Sequence, residues 1–275
     1  MQTAAASVEN NLDIRPVSPV LGAEIRGIDL GRTLPPATLR AVYDAFLRYG
    51  LLVFADQQID DDAHVAFSKH WGRLQVHVLN QYQHTKSPEI FMLTNLAPDG
   101  TPKGENPDPG AAIWHTDGSW ARERGLVTML YSMIVPKAGG DTLFCNMYRA
   151  YDALPAQLKR PLEGRRAVHD LNYSRLLSGA KQQMTEEQRR EAPPVEHEII
   201  RVHPETGRKA LYLGEHASYI EDMPVEEGRE LIARLNAIAT QPDNVYTHHW
   251  RVNELVMWDN RCLMHKATGF DFMND

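Results

Sequence analysis

The feature that most constrains the fold of this chain is a His-x-Asp motif together with a histidine far downstream. The motif is Trp114-His115-Thr116-Asp117, and the distant histidine is His265, which closes the run Asp259 to His265. Two imidazole nitrogens and one carboxylate oxygen are the ligands of non-haem iron(II) sites, which hold the metal on one face and leave the other positions open. One such site would require the fold to bring both segments together, and it would indicate an oxygenase.

The predicted strands suit such a site. We expect Leu126 to Val135 and Asp141 to Phe144 to form strands, and Asn244 to Trp250 to pair with Glu254 to Asp259, with His265 just past their end. Both ligand segments would then lie at strand ends, as at the mouth of a β-barrel or jelly roll. Residues two apart on a strand face the same side, so His115 and Asp117 can point at one metal while Thr116 turns away. We therefore predict a mostly β fold with flanking helices and a double-stranded β-helix (jelly-roll) core.

Several other elements are expected around that core. A first helix is predicted from Pro35-Pro36 to a stop at Gly50, and a second begins after an N-cap among Asp60 to Asp62. Further helices are predicted near Met147 to Ala153, near Pro155 to Glu163, after the capping box Thr185-Glu186-Glu187-Gln188, and over Val225 to Ala239. Leu51 to Phe54 reads as a buried strand, and Leu96 to Gly110 reads as a long loop of the kind that often acts as a lid. No repeat or linker divides the sequence, so residues 1–275 are predicted to be one domain.

Composition excludes several classes of protein. A net charge of −7 argues against a nucleic-acid or anionic-membrane partner. No run of roughly 18 apolar residues predicts a membrane-spanning helix, and Met1 to Asn11 lacks the basic start and apolar core of a signal peptide. Cys145 and Cys262 are the only cysteines, which excludes a disulfide framework and suits a reducing cytoplasm, where iron stays ferrous.

Spacing alone leaves the motif ambiguous, because a chain with 12 histidines can contain a His-x-Asp pair that is only hydrogen-bonded at the surface. Longer motifs resolve the ambiguity. From Gly22 onward the chain resembles the taurine dioxygenase and 2,4-dichlorophenoxyacetate dioxygenase family of iron(II), 2-oxoglutarate-dependent enzymes. The most specific pieces are Trp114 to Asp117, Gly139 to Thr142, His203 to Arg208 and Trp258 to His265. The herbicide-degrading branch is nearest, on the pieces Phe144 to Pro155, Gly214 to Ser218 and Met257 to Cys262.

The resemblance implies roles for five residues. His115, Asp117 and His265 would be the iron ligands, Thr142 would help hold the distal carboxylate of 2-oxoglutarate, and His77 would face the anionic group of the substrate. Thr142 could instead be a turn residue after Gly139-Gly140, and His77 could be a strand histidine satisfied by backbone.

Three further residues have supporting roles in this interpretation. His216 is a weaker candidate for the pocket. Asn260 and Arg261 are expected to fix His265 rather than to bind the metal themselves.

One departure from the family concerns the cosubstrate. The family anchors 2-oxoglutarate with an arginine about a dozen residues past the distal histidine, because a guanidinium fork matches a carboxylate with two parallel bonds. The sequence ends at Asp275, ten positions past His265, with no arginine between. We expect the native chain to continue and to carry that arginine, and the 275-residue chain to bind 2-oxoglutarate poorly.

The implied chemistry uses Fe(II), O2 and 2-oxoglutarate to hydroxylate a small anionic substrate. For an aryloxyalkanoate such as 2,4-dichlorophenoxyacetate, the hydroxylated ether falls apart to a phenol and glyoxylate, with succinate and CO2 as coproducts. A taurine or alkylsulfonate dioxygenase is the second possibility. A hydrolytic zinc enzyme with the same ligands and a non-catalytic jelly-roll binding protein stay open, and a homo-oligomer is a family expectation.

Overall fold

The computed structural model describes residues 12–275, so the expectation for Met1 to Asn11 lies outside the described residues. The described residues form thirteen strands: β1 Asp13–Pro16, β2 Ala23–Arg26, β3 Leu51–Phe54, β4 Val127–Ser132, β5 Thr142–Asn146, β6 Arg166–His169, β7 Val195–Glu198, β8 Ile200–Val202, β9 Lys209–Leu211, β10 Ala217–Ile220, β11 Val245–His248, β12 Glu254–Asp259 and β13 Leu263–Ala267. They also form seven helices: α1 Pro36–Tyr49, α2 Asp61–Ser68, α3 Met147–Ala153, α4 Ala156–Leu162, α5 Leu171–Leu177, α6 Glu186–Glu191 and α7 Val225–Ala239.

Two sheets enclose the core that carries the site. One has the order β1-β2-β3-β12-β4, and the other has the order β11-β5-β13. Trp258 on β12 packs edge-on against Phe144 on β5, with ring centroids 5.3 Å apart, so the two sheets share one apolar core. On its other face β12 turns Leu255 and Met257 toward α1, as the two-residue period of a strand requires.

The expected pairing of the last long strands is wrong. β11 pairs with β5, whereas β12 lies between β3 and β4 in the other sheet. All six residues of β12 are buried, and such a strand needs a neighbour on each side; β11 is only partly buried and lies at the edge of its sheet. The chain changes sheets through Asn253, whose φ of 62° is left-handed. His265 accordingly lies inside β13 rather than past the end of a strand.

Most of the local predictions are confirmed. α1 ends at Gly50, whose φ is 73° and whose N–H donates to the Phe46 carbonyl. The Asp60 carboxylate caps α2, the Thr185 capping box begins α6, and α7 has the predicted bounds. β8 and β9 form a short antiparallel pair.

The predicted loop before the His-x-Asp motif is also present. Leu96 to Gly110 is irregular apart from a bridge between Leu96 and Pro102 and the start of a short 3-10 turn, Pro109–Ala112. Within residues 12–275, no helix is long and apolar enough to cross a membrane.

Candidate metal centre

The structure brings the three candidate ligands together. The His115 and His265 backbones pair through two hydrogen bonds, with N···O distances of 3.0 and 2.8 Å. His115 Nε2 lies 3.5 Å from Asp117 Oδ1, and His265 Nε2 lies 3.6 Å from Asp117 Oδ2. Among residues 12–275, this is the one group of three His, Cys, Asp or Glu side chains whose ligand atoms all lie within 4.8 Å of one another. Thr116 turns away, as expected, and donates to the Leu263 carbonyl.

The hydrogen bonds of His115 prepare one of its nitrogens for a metal. Its Nδ1 lies 2.8 Å from the Ile113 carbonyl, which can only accept, so in the neutral ring the hydrogen is on Nδ1 and Nε2 presents a lone pair. His265 Nε2 faces the same carboxylate, while His265 Nδ1 is buried without a hydrogen-bond partner. Both imidazole–carboxylate separations exceed an ordinary hydrogen bond. Two imidazoles and one carboxylate arranged in this way fit a divalent transition metal such as iron(II).

The charges of the group also suit a metal. Burial lowers the pKa of His265 to about 3, although Asp117 opposes this effect. Burial alone would raise the pKa of Asp117, but the two histidines hold it well below its usual range. At neutral pH the group therefore offers an ionised carboxylate and a neutral His265 imidazole, which are the forms that bind metals.

A relay of two side chains holds the Asp117 carboxylate. Thr128 Oγ1 donates to Asp117 Oδ2 at 2.7 Å, and Asn260 Nδ2 donates to Thr128 Oγ1 at 2.8 Å. The expectation that Asn260 fixes His265 is therefore wrong, because its side chain turns toward β4 and acts on the other end of the ligand set. Arg261 instead binds Asp259 and Glu205 in the turn before β13. Thr128 belongs to no motif, and only the strand pairing shows its role.

A pair of glycines closes the loop that follows the motif. Gly118 has a left-handed φ of 66°, and a Cβ there would lie 2.5 Å from the Gly125 nitrogen. A Cβ at Gly125 would lie 2.8 Å from the Asp117 carbonyl oxygen. We call this contact the glycine neck. Because neither glycine has a side chain, the backbone at Gly125 can pack directly against the backbone at Asp117 and Gly118.

Thr142 is the first residue of β5 rather than a turn residue. It is two positions from Phe144, which pairs directly with His265, so Thr142 and Phe144 face the same side of the sheet. Thr142 is 7% exposed, and its Oγ1 accepts a hydrogen bond of 2.9 Å from Trp250 Nε1.

His77 lies in a loop rather than in a strand. Its Nδ1 accepts a hydrogen bond of 3.0 Å from the Leu79 N–H, and its ring packs against Phe91 and Trp120. Burial lowers the pKa of His77 to about 4, against the attraction of Asp117. At neutral pH the ring is uncharged and carries its hydrogen on Nε2. The backbone therefore satisfies one nitrogen and leaves the other as a donor.

His216 lies against the metal ligands without joining them. Its ring centroid is 5.8 Å from that of His115, and its Nδ1 is hydrogen-bonded to Ser119 Oγ at 2.8 Å. Burial lowers the pKa of His216 to about 3. His216 is therefore a neutral packing partner of the centre.

Comparisons with known proteins agree with this geometry. The family described as "Taurine catabolism dioxygenase TauD, TfdA family" matches residues 13–274. The chain is 38% identical over 263 residues to the alpha-ketoglutarate-dependent 2,4-dichlorophenoxyacetate dioxygenase of Burkholderia sp. (strain RASC), covering 92% of this chain and 88% of the relative. It is 32% identical over 271 residues to the (S)-phenoxypropionate/alpha-ketoglutarate-dioxygenase of Sphingobium herbicidovorans, covering 94% and 90%.

Two solved structures extend the likeness to the fold. AAD-2 in complex with Mn(II) and N-oxalylglycine has a TM-score of 0.85 and 35% identity, covering 95% of this chain and 93% of that one. A taurine dioxygenase from Burkholderia xenovorans has a TM-score of 0.76 and 28% identity, covering 94% and 83%. The resemblance expected from the motifs is confirmed: the chain belongs to the TauD/TfdA family of iron(II)- and 2-oxoglutarate-dependent dioxygenases.

Proposed function

We propose that this enzyme uses Fe(II), O2 and 2-oxoglutarate to hydroxylate a small anionic aryloxyalkanoate such as 2,4-dichlorophenoxyacetate. The observation that carries the proposal is the convergence of His115, Asp117 and His265, with both Nε2 atoms facing one carboxylate. Relatives at 38% identity over nearly the whole chain are named for this substrate. Hydroxylation beside the ether oxygen would release a phenol and glyoxylate, with succinate and CO2 as coproducts.

In this proposal, Fe(II) is held by His115 Nε2, His265 Nε2 and Asp117, and together with 2-oxoglutarate and O2 it supplies the oxidising chemistry when bound. The protein's own residues hold and shield that group. The Ile113 carbonyl orients His115, and Thr128 orients the Asp117 carboxylate. Trp258 packs edge-on to His265, with centroids 4.8 Å apart, and excludes water from that side. Thr142 donates its hydroxyl hydrogen to the outer carboxylate of 2-oxoglutarate.

Two side chains support an anionic substrate. His77 offers a neutral N–H donor, and Arg175 on α5 brings a buried positive charge close enough to His77 to act on its pKa. Arg175 is 4% exposed, and in the part of the chain that the structure describes no carboxylate oxygen lies within 4.0 Å of its guanidinium. Its Nη2 donates to the Gln182 carbonyl, and its Nε has no partner. The Asp108 carboxylate acts on Arg175 only from beyond ion-pair distance, so a substrate carboxylate is a fitting direct partner for this buried cation.

The same proposal extends to architecture and setting. We propose that residues 1–275 form one dioxygenase domain and that the two facing sheets are a double-stranded β-helix. The two cysteines are buried and free, which supports a reducing cytoplasm. We also propose that the protein is a homo-oligomer and that it binds neither nucleic acid nor a membrane.

A substrate panel tests this function. Iron-loaded protein is supplied with 2-oxoglutarate and with aryloxyacetates, aryloxypropionates or alkylsulfonates, and succinate is measured above the substrate-free background. We expect aryloxyalkanoates to stimulate succinate formation in an oxygen-dependent way. Stimulation by sulfonates alone would support a taurine-like enzyme instead. Hydrolysis with zinc and without oxygen would identify a hydrolase, and protein that binds no iron would be a non-catalytic binding protein.

A further inference from the structure

Within residues 12–275, the Trp250 side chain makes one hydrogen bond, and its acceptor is the residue proposed to hold 2-oxoglutarate. Trp250 lies two residues past His248, which pairs with Thr142 in the register between β11 and β5. The indole Nε1 donates to Thr142 Oγ1 at 2.9 Å. The hydrogen bond therefore joins the end of one strand to the start of its neighbour.

The chemistry of the two groups fixes the direction of the hydroxyl. An indole N–H can only donate, whereas a hydroxyl has one hydrogen and two lone pairs. Thr142 Oγ1 must therefore be the acceptor from Trp250, and its own hydrogen stays available for another group. Among residues 12–275, the Thr142 side chain makes no second hydrogen bond.

We propose that Trp250 is a positioning residue for cosubstrate binding. By occupying one lone pair of Thr142 Oγ1, its N–H directs the hydroxyl hydrogen toward the outer carboxylate of 2-oxoglutarate. The inference rests on the proposed function, because it needs Thr142 to contact that carboxylate. Without the indole donor, the hydroxyl can rotate among its staggered positions and loses its preferred direction.

The Trp250 indole is itself held in place by the His248 ring. Its ring meets the His248 ring edge-on at 4.7 Å, and His248 Nε2 is hydrogen-bonded to the fully buried Glu254 at 2.9 Å. Arg251 donates to the other carboxylate oxygen of Glu254. The orientation of Trp250 is thus set before the cosubstrate arrives, and such preorganisation reduces the entropy lost on binding.

A double-mutant cycle tests the inference. Trp250→Phe keeps a ring against His248 but removes the N–H, and Thr142→Val removes the hydroxyl. Calorimetric titration of the Mn(II)-loaded full-length native protein and its variants gives the dissociation constant of 2-oxoglutarate, and a separate titration gives Mn(II) affinity. We expect W250F to weaken 2-oxoglutarate binding about fivefold, the usual worth of one hydrogen bond, and to leave Mn(II) binding unchanged. T142V should weaken it at least as much, and the double variant no more than T142V alone.

Trp71→Phe is the matched control, because the Trp71 N–H is buried without a partner and its ring packs against α1 and α2, away from Thr142. It should leave both affinities unchanged. Trp250→Leu removes the same N–H if the phenylalanine does not pack, and thermal melting reports folding for every variant.

Three outcomes would overturn the inference. The first is that the effects of W250F and T142V multiply, since Trp250 would then act independently of Thr142. The second is that W250F weakens Mn(II) binding as much as 2-oxoglutarate binding, which indicates a general structural role. The third is normal 2-oxoglutarate binding by T142V. If the full-length native protein binds Mn(II) but no 2-oxoglutarate, the proposed function itself fails, and the inference fails with it.

Discussion

Among residues 12–275, two clusters pair buried histidines with an aspartate, and an arginine neutralises the carboxylate in only one of them. In the arginine-held cluster, His203 Nε2 donates to Asp259 Oδ2 at 3.1 Å. Arg261 donates to both oxygens of the same carboxylate, at 2.8 and 2.7 Å, and also contacts Glu205. In the metal centre, by contrast, the Asp117 carboxylate faces two histidines at 3.5 and 3.6 Å, and no arginine is paired with it.

The comparison shows that hydrogen-bond partners, rather than residue types, distinguish a structural cluster from a binding site. Burial raises the pKa of Asp259, but His203 and Arg261 outweigh burial and lower it. Its charge is therefore neutralised within the fold, and the cluster stabilises the turn between β12 and β13. The charge of Asp117 is met by the uncharged Thr128 hydroxyl and by two long imidazole contacts, so a bound cation can still stabilise it.

The largest expected difference follows from Asp117→Asn. The amide keeps the shape of the side chain but loses the charge that a divalent metal needs. Mutation of a residue that hydrogen-bonds to a metal ligand typically costs roughly 10- to 100-fold in metal affinity or activity. Since Asp117 is itself a proposed ligand, we expect Mn(II) affinity and turnover to fall by more than that. The free energy of unfolding of the metal-free protein should fall by less than it does for Arg261→Met, because the amide oxygen of Asn can still accept the hydrogen bond from Thr128. Metal titration and urea denaturation measure the two effects; Mn(II) affinity equal to wild type would contradict the assignment.

Arg261→Met should have the opposite profile. It leaves Asp259 without its guanidinium and is expected to lower the free energy of unfolding by about 3–5 kcal/mol. Arg261→Lys is the matched control and should cost less, since it keeps the charge but not the two parallel bonds. Urea denaturation gives the values, and Mn(II) affinity of the folded protein should stay within a few fold of wild type. A loss of metal affinity without a loss of stability would erase the distinction between the clusters.

Thr128→Val sharpens the comparison within the metal centre. It removes the hydrogen bond to Asp117 Oδ2 and should weaken Mn(II) binding by about 10-fold or somewhat more. Thr128→Ser keeps the hydroxyl and should bind Mn(II) like wild type. Calorimetric titration of the three proteins checks this. If valine and serine behave alike, the relay from Asn260 does not orient the ligand.

The smallest effect concerns pH. Burial lowers the pKa of His115, but the contacts with Asp117 outweigh burial and raise it overall. Below its pKa the His115 ring carries a second proton, which a metal must displace before it can bind. Mn(II) affinity should therefore fall about tenfold per pH unit below the pKa of His115.

The arginine-held cluster should not respond in the same pH range. The pKa of Asp259 is lower in the folded than in the unfolded state, so its contribution to stability is complete above about pH 4 and is lost only at lower pH. Mn(II) affinity and the free energy of unfolding, each measured from pH 8 to 5 for wild type and R261M, test the contrast. A metal affinity that is independent of pH would contradict it.

The features that could be predicted from the sequence are those set by neighbouring residues, such as helix ends, and those that belong to a recognisable motif. Helix caps at Gly50, Asp60 and Thr185 depend on neighbouring residues, and the structure has them where expected. The assignment of His115, Asp117 and His265 as ligands stays a prediction about their role, although the fold brings their side chains together.

What the sequence could not predict depends on pairing between distant strands. Thr128 and Trp250 are single residues without a motif, and they gain their partners only from the neighbours of β4 and β11. Asn260 is expected to fix His265, but its side chain donates to Thr128 on β4. The prediction that β11 pairs with β12 was wrong because it considered only strands that are neighbours in the chain. β12 is buried on both faces and lies between two strands of the other sheet.

The glycine neck has a consequence for how enzymes of this shape can diversify. Because Gly118 and Gly125 meet backbone to backbone, the loop is closed beside Asp117, and Ser119 and Trp120 behind this closure pack inward against His216 and His77. The tip of that loop, Arg122 to Arg124, is exposed. The three exposed residues of the tip can therefore be exchanged while the Asp117 carboxylate keeps its place, which makes the tip a natural point at which to redesign the enzyme.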